Sequence, residues 1–161
     1  DGEHSIERCY EVTLETQRQV FAQLYRQGVL FDGMVLKPSM VLAGKQCPRQ
    51  APVDEVAEQT LRCLCRSVPA ALPGIAFLSG GQSDERATAH LNAINRMAKA
   101  RSLPWRLTFS FARALQQSAM AAWQGEPGNA EAARSILLHR AHLNSLASSG
   151  DYQQHMEQRP A

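Results

Sequence analysis

Long apolar runs and an excess of charge of one sign are both absent from this 161-residue sequence. No stretch approaches the roughly 20 apolar residues that a membrane-spanning helix needs, so we expect no membrane insertion. The net charge of +2 provides neither a basic field for nucleic acid nor a polybasic membrane patch. The first residues also lack the charged-then-apolar pattern of a secretory signal, which predicts a cytoplasmic protein.

Cysteine is scarce, and its spacing argues against the usual cross-linked frameworks. The four cysteines include no Cys-x-x-Cys pair, and Cys63 and Cys65 fall within a helical pattern. Free, mostly buried thiols are therefore predicted rather than a disulfide or zinc framework. His139 and His142 lie three residues apart without a third ligand, which favours surface or capping roles over a metal site. We expect no metal and no cofactor.

A start methionine is also missing. The chain begins with Asp1 and Gly2, which are turn-forming residues, and this predicts a piece of a longer protein. A content of 44% hydrophobic and 20% charged residues is that of a soluble globular protein. The sequence therefore predicts one domain, or part of one, over residues 1–161.

Hydrophobic periodicity, together with the positions of glycine and proline, divides the chain into helices that alternate with three short apolar strands. This order is typical of parallel βαβ units, in which helices cover the sheet. Three strands cannot close a barrel, which again predicts a fragment. The predicted strands are 34–36, 74–78 and 106–110. The predicted helices run from Thr13 to Gln27, from Pro52 to Arg66, from Ser83 to near Arg101, through Arg113 to Trp123, and from Asn129 onward. The tail that begins at Ser148 is polar and is predicted to be frayed.

Helix faces are predicted from the same periodicity. Apolar residues at every fourth position predict the buried face of the first helix, and those at i, i+3, i+4, i+7, i+8 and i+11 predict that of the second. Ser83 is the expected N-cap of the third helix, and Asn129 is the expected cap of the last one. The first face comprises Val12, Thr16, Val20 and Leu24 with Phe21 and Tyr25 beside them, and the second comprises Val53, Val56, Ala57, Thr60, Leu61 and Leu64.

Groups suited to carbonyl and phosphate chemistry follow each predicted strand. Lys37 is either a strand-end lysine that reaches solvent or, if buried, an amine nucleophile. Ser79-Gly80-Gly81 can direct backbone N–H groups toward an anion, and Arg113 can complete a phosphate clamp or form an ordinary ion pair. Ligands of βα folds gather at the carboxyl ends of the strands. Together the three groups predict Schiff-base chemistry on a phosphorylated carbonyl compound.

Three segments resemble signatures of the class I fructose-bisphosphate aldolases. They are Leu36-Lys37-Pro38-Ser39-Met40-Val41, Phe77-Leu78-Ser79-Gly80-Gly81-Gln82-Ser83 and Leu107-Thr108-Phe109-Ser110-Phe111-Ala112-Arg113-Ala114-Leu115. Segments 92–95 and 144–147 are also similar to that family. The resemblance covers nearly the whole chain in order. It implies an α/β fold that is the C-terminal portion, about strands six to eight with their helices, of a (β/α)₈ TIM barrel.

Roles for individual residues also follow from the resemblance. Lys37 is implied to form the Schiff base with the substrate ketone. Ser79, Gly80 and Gly81 are implied to hold the substrate phosphate, with Ser110 and Arg113 completing the pocket. The implied reaction is the reversible, metal-free cleavage of fructose 1,6-bisphosphate into dihydroxyacetone phosphate and glyceraldehyde 3-phosphate in glycolysis. The family also implies a homo-tetramer for the full-length protein.

Several positions depart from the family pattern. Phe111-Ala112 replaces the usual Tyr-Gly, Asp32 replaces glutamate, and two extra residues lie between Asn95 and Trp105. The terminal tyrosine of the animal enzymes is missing, and Tyr152 is no evident substitute. The family's general acid/base glutamate, two further lysines and an aspartate belong to earlier strands, the glutamate a few residues before Asp1. The isolated chain is therefore expected to be inactive.

Two other interpretations are compatible with the same residues. One is a half-barrel that is inactive alone and serves only as an association module through its open sheet edges. The other is a different Schiff-base barrel, such as a transaldolase-like enzyme, although the Gly-Gly and arginine motifs fit it poorly.

Overall fold

Helices dominate the structure, a computed structural model that describes residues 2–158. Within this range there are five α-helices and three short strands, and three single 3₁₀ turns lie at 31–33, 127–129 and 154–157. The helices are α1 (Ile6–Arg26), α2 (Val53–Ser67), α3 (Asp84–Ala100), α4 (Arg113–Trp123) and α5 (Ala130–Ser149), and the strands are β1 (Val35–Leu36), β2 (Gly74–Phe77) and β3 (Arg106–Phe109).

The three strands form one parallel sheet in the order β1-β2-β3, so the predicted parallel βαβ arrangement is confirmed. Leu36 pairs with Ile75, and Ile75 with Leu107. Because side chains alternate across a strand, one face of the sheet carries these residues into the core, and the other face leaves Val35 61% exposed. The sheet is thus covered by helices on one face and open on the other at β1.

The apolar faces of α2 and α3 are buried in the core, as their periodicity predicts. In α2 the predicted residues Val56, Leu61 and Leu64 are at most 1% exposed. At the start of α3, Ser83 is confirmed as the N-cap, because its hydroxyl accepts a hydrogen bond from the backbone N–H of Arg86 at 3.3 Å. Along the chain, α2 is the helix that follows β1, and α3 is the helix that follows β2.

The predicted buried face of α1 is only partly correct. Phe21 is buried as predicted, and Leu24 is half-buried. Val12 and Val20, by contrast, are 47% and 44% exposed, and Ile6, which was not predicted, packs inward. The helix also starts seven residues earlier than predicted, because the Ser5 side chain caps it by accepting a hydrogen bond from the N–H of Arg8. Each four-residue step advances about 40° beyond a full turn, so a strict four-residue series winds around the helix instead of following one face.

Asn129 is not a side-chain cap for α5, contrary to the prediction. It already has helical backbone angles at the end of a 3₁₀ turn, and its side-chain amide donates to the carbonyl of Trp123 at 3.2 Å. The amide therefore closes the turn between α4 and α5 and leaves the first N–H groups of α5 without that cap.

Residues 148–158 are ordered rather than frayed as predicted, and the rest of the predicted tail, residues 159–161, lies outside the described residues. Gly150 ends α5 in the left-handed conformation, and Tyr152 is 7% exposed. Burial raises the pKa of the Tyr152 phenol, and the neighbouring Glu157 carboxylate raises it further. The phenol therefore stays protonated and donates to Glu157 at 2.9 Å, which ties the segment to its own 3₁₀ turn.

Cysteines and histidines follow the predictions only in part. The four cysteines are free, but only Cys63 is buried, whereas Cys65 is exposed and the other two are half-buried. Burial raises the pKa of the Cys63 thiol to about 11, so this thiol stays protonated near neutral pH. On α5, His139 is half-buried and His142 is exposed.

No helix in the described range 2–158 is long and apolar enough to cross a membrane.

Candidate active site

Two backbone hydrogen bonds beyond the strands hold the three strand ends together. The N–H of Leu78 donates to the carbonyl of Pro38 at 3.0 Å, and the N–H of Ser110 donates to the carbonyl of Phe77 at 2.7 Å. These bonds continue the parallel pairing past the last residue of each strand. The segments that follow β1, β2 and β3 therefore leave the sheet at the same end, the carboxyl end of its strands, as expected for a βα fold. This end is called the sheet edge of the site below.

Lys37 directly follows β1 and is exposed, whereas the next residue, Pro38, is buried. By alternation along the strand, Lys37 belongs to the open face of the sheet together with Val35. The side chain therefore reaches solvent in this chain, and its role as an amine nucleophile stays a prediction. Its amine is accessible to a small molecule at the carboxyl end of the sheet.

The segment after β2 is a tight turn that requires both of its glycines. The carbonyl of Ser79 accepts a hydrogen bond from the N–H of Gln82 at 3.1 Å, and the intervening Gly80 and Gly81 have φ angles of +59° and +75°. Positive φ at both central positions is the geometry of a type I′ turn, which glycine adopts without steric cost. Such a turn leaves backbone N–H groups available to an anion.

Arg113 and Lys45 both lie against Gly81. A Cβ atom built at position 81 would be 3.2 Å from an Nη atom of Arg113 and 2.6 Å from Nζ of Lys45. The glycine and arginine of the predicted phosphate clamp are therefore adjacent in space. Lys45 was not predicted as a site residue, and its only signal was its position in a Gly- and Pro-containing loop after β1.

Ser110 is half-buried at the end of β3. Its backbone N–H is engaged by Phe77, so only its side chain remains available to a ligand. Ser79 is buried at 5% exposure, and Ser39 approaches the turn, with its Oγ 3.4 Å from a Cβ built on Gly80. The predicted residues after β2 and β3 are thus positioned by backbone bonds, and Ser39 adds a hydroxyl from the loop after β1.

A cavity of about 610 Å³ lies beside the glycine turn. Its cationic lining comes from Lys45 and Arg86, and none of the described residues that line it is acidic. Lys37 and Arg113 are not among the residues that line the cavity. The arrangement can hold an anionic group at the turn and leaves a primary amine at the same sheet edge.

The family is established by comparison with known proteins. A family model for class-I fructose-bisphosphate aldolase matches residues 1–161. The chain belongs to this family. Over 153 residues it is 51% identical to the probable fructose-bisphosphate aldolase class 1 of Xanthomonas campestris pv. campestris, covering 94% of this chain and 45% of that relative.

Further members of the aldolase family are equally similar. The chain is 48% identical over 152 residues to fructose-bisphosphate aldolase B of Sparus aurata, covering 94% of this chain and 41% of that protein. A solved structure of fructose-bisphosphate aldolase from Plasmodium falciparum, in complex with TRAP and a small-molecule inhibitor, superposes with a TM-score of 0.91 at 49% identity. That match covers 95% of this chain and 43% of the aldolase chain. The chain therefore spans less than half the length of these relatives.

Proposed function

We propose that the chain is the C-terminal portion of a (β/α)₈ barrel and carries the Schiff-base and phosphate-binding residues of a fructose-bisphosphate aldolase. The observation that supports this most directly is the shared sheet edge, where the lysine segment, the glycine turn and the arginine come together. Chance would seldom place an amine, an anion-binding turn and a guanidinium after three successive parallel strands. Family membership supplies the reaction that these groups serve.

Lys37 is the proposed nucleophile. Its amine adds to the C2 ketone of fructose 1,6-bisphosphate, and loss of water gives an iminium. A base removes the proton of the C4 hydroxyl, the C3–C4 bond breaks, and its electron pair moves into the iminium to form an enamine. Glyceraldehyde 3-phosphate leaves, the enamine is protonated at C3, and hydrolysis returns the free amine and dihydroxyacetone phosphate.

The glycine turn and its neighbours are the proposed phosphate site. Backbone N–H groups of Ser79, Gly80 and Gly81, the hydroxyl of Ser110 and the guanidinium of Arg113 would hold the phosphate next to the ketone. Fixing one end of the ketose places its carbonyl within reach of the amine, which accelerates the reaction through orientation. The proton-transfer residues of the family belong to earlier strands, so this chain contributes the covalent and binding steps. No metal or cofactor enters the scheme.

A second proposed role is assembly. The outer edges of β1 and β3 have no strand partner within residues 2–158, and Val35 on β1 is 61% exposed. Unpaired strand edges favour pairing with another segment. The chain would then complete its sheet with the strands that precede it in the family barrel, and the whole protein would assemble as a cytoplasmic homo-tetramer.

Borohydride trapping tests the proposed chemistry. The polypeptide in its longest natural form is incubated with dihydroxyacetone phosphate and borohydride, and its intact mass is measured. We expect one reduced adduct per chain and measurable cleavage of fructose 1,6-bisphosphate. The isolated 161 residues are expected to form the adduct slowly and to cleave no substrate. No adduct in the longest form would refute the proposal, and full turnover by residues 1–161 would contradict the assignment of proton transfer to earlier strands.

Gly81→Ala is expected to weaken phosphate binding in addition to lowering the stability of the fold. The methyl group would overlap Lys45 and press against Arg113, in addition to the strain at φ +75°. Gly28→Ala is the matched control, since Gly28 has φ +71° but open space around its Cβ position. Both variants should lose about 1–2 kcal/mol of stability. Only Gly81→Ala should raise the half-saturating dihydroxyacetone phosphate concentration in trapping, and equal shifts would refute a binding role for the turn.

A further inference from the structure

The side chain of Gln82 fastens the carbonyl of the glycine turn. Its Nε2 donates to the carbonyl oxygen of Ser79 at 2.8 Å, and the backbone N–H of Gln82 donates to the same oxygen at 3.1 Å. The Ser79 carbonyl therefore accepts two hydrogen bonds from one residue. A sulfur contact of 3.6 Å between Nε2 and Met40 packs the amide against the loop after β1. Gln82 thus fixes the direction of the Ser79 carbonyl.

His90 orients the amide of Gln82 from inside the protein. It lies on α3 with 0% exposure, and its Nδ1 is 2.5 Å from Oε1 of Gln82. Because Nε2 of Gln82 donates to Ser79, Oε1 must accept, so Nδ1 of His90 is the donor. This fixes the imidazole tautomer and prevents the Gln82 amide from rotating by half a turn.

The imidazole keeps this donor over the whole neutral range. Burial, together with a smaller effect of the nearby Arg86 charge, lowers the pKa of His90 to about 4. The other ring nitrogen, Nε2, is buried without a hydrogen-bond partner in the described part of the chain. A second proton would place an unpaired N–H there, which is consistent with a neutral ring.

Fixing the Ser79 carbonyl also determines where the next N–H points. In a trans peptide the C=O and N–H vectors are antiparallel, so a Ser79 carbonyl directed at Gln82 turns the N–H of Gly80 away from it. Two consecutive glycines would otherwise leave this peptide plane among the freest in the chain. A defined anion site needs that freedom removed before the ligand arrives.

We propose that Gln82 and His90 are positioning residues that hold the Ser79–Gly81 turn in its phosphate-binding geometry. This inference rests on the proposed function and deepens it at the same site. In this scheme His90 acts through Gln82, and Gln82 acts through the Ser79 peptide. Removal of either hydrogen bond weakens the binding of phosphorylated ketoses and leaves the reactivity of Lys37 itself unchanged.

The test compares borohydride trapping of dihydroxyacetone phosphate with that of unphosphorylated dihydroxyacetone, in the longest natural form of the polypeptide. Gln82→Met removes both side-chain hydrogen bonds, whereas His90→Leu removes only the one between His90 Nδ1 and Gln82 Oε1. His90→Asn keeps a side-chain N–H near the position of Nδ1, and Gln19→Met on the exposed surface of α1 is the control. His90→Leu should raise the half-saturating dihydroxyacetone phosphate concentration about ten-fold, as the loss of one hydrogen bond implies, and Gln82→Met should raise it by at least as much. His90→Asn and Gln19→Met should stay within about two-fold of the parent chain.

Trapping of unphosphorylated dihydroxyacetone distinguishes a failure of the positioning role from a failure of the proposed function. The trapping rate of dihydroxyacetone should be the same in every variant, because it has no phosphate to be positioned. If the parent chain traps neither ketose, the proposed function fails. If it traps both and the Gln82 and His90 variants behave like the parent, the positioning role fails while the proposed function stands. A loss in His90→Asn as large as in His90→Leu also overturns the role of Nδ1, and Gln82→Met decides the question if His90→Leu does not fold.

Discussion

Replacing Lys37 by methionine is expected to abolish fructose 1,6-bisphosphate cleavage by the longest natural form of the polypeptide, with a loss in kcat of about 10⁴-fold or more. Methionine has a similar length but no amine, so neither the carbinolamine nor the iminium can form. Without the iminium, the electron pair of the C3–C4 bond has no acceptor. Circular dichroism should be unchanged, because the Lys37 side chain is exposed and contributes nothing to the core.

Lys99→Met is the matched control for this variant. Lys99 is an exposed lysine near the end of α3 that donates to the carbonyl of Ser149, away from the sheet edge that carries the site. Its replacement should leave kcat within about two-fold of the parent, as for other exposed surface changes. Lys37→Arg separates charge from nucleophilicity, since the guanidinium stays protonated and forms no imine, and it should be as inactive as Lys37→Met. Turnover of Lys37→Met within ten-fold of the parent chain would remove Lys37 from the mechanism.

Arg140→Met is expected to destabilise the fold by about 3–5 kcal/mol. The guanidinium of Arg140 is 6% exposed and pairs with the carboxylate of Glu157, which is 14% exposed. It also donates to the hydroxyl of Thr88 at 2.5 Å. Methionine fills much of the same volume but leaves the Glu157 carboxylate buried without its counter-charge. The free energy of unfolding in urea measures the loss.

Arg134→Met on the same helix controls for the change of residue type. Arg134 approaches Glu131 at 3.5 Å, with side chains 73% and 88% exposed, and such a surface pair contributes less than about 1 kcal/mol. Glu157→Gln in the Arg140→Met background should recover part of the stability, since it neutralises the stranded charge. If the two arginine variants unfold at the same urea concentration, the buried pair does not anchor the C-terminal segment.

Periodicity predicted α2 well and α1 poorly, and Gln17 explains the difference. In α2 every predicted inward position is apolar apart from Thr60, so the stripe is visible in the sequence. In α1 the true stripe passes through Gln17, a polar residue that is buried because its amide oxygen accepts from Ser67 and Cys63. A buried glutamine with partners 46 and 50 residues away cannot be recognised from local spacing.

The C-terminal segment could not be predicted for a similar reason. Its sequence is polar, and polarity favours a frayed end. The residues that hold it are Tyr152 and Glu157, whose partner Arg140 lies 17 positions away from the glutamate. A long-range ion pair has no periodic signature, so only the folded structure reveals it.

The candidate site was more predictable than these parts of the fold. Parallel topology brings the carboxyl ends of successive strands to one edge whatever the helices between them do in detail. Lys37, the glycine turn and Arg113 could therefore be grouped from their places after β1, β2 and β3. Lys45 and His90 could not, because a loop lysine and a helix histidine reach the turn only through the packing of the segments that carry them.

Peptide mapping of the reduced dihydroxyacetone phosphate adduct tests the central claim most directly. Residues 1–161 contain three lysines, Lys37, Lys45 and Lys99, so label in this part of the polypeptide can be assigned without ambiguity. Lys45 is the informative competitor, since its amine lies against Gly81 at the proposed phosphate site. We expect the entire label on the peptide containing Lys37 and none in Lys37→Met. Label on Lys45, or label that persists in Lys37→Met, would contradict the account.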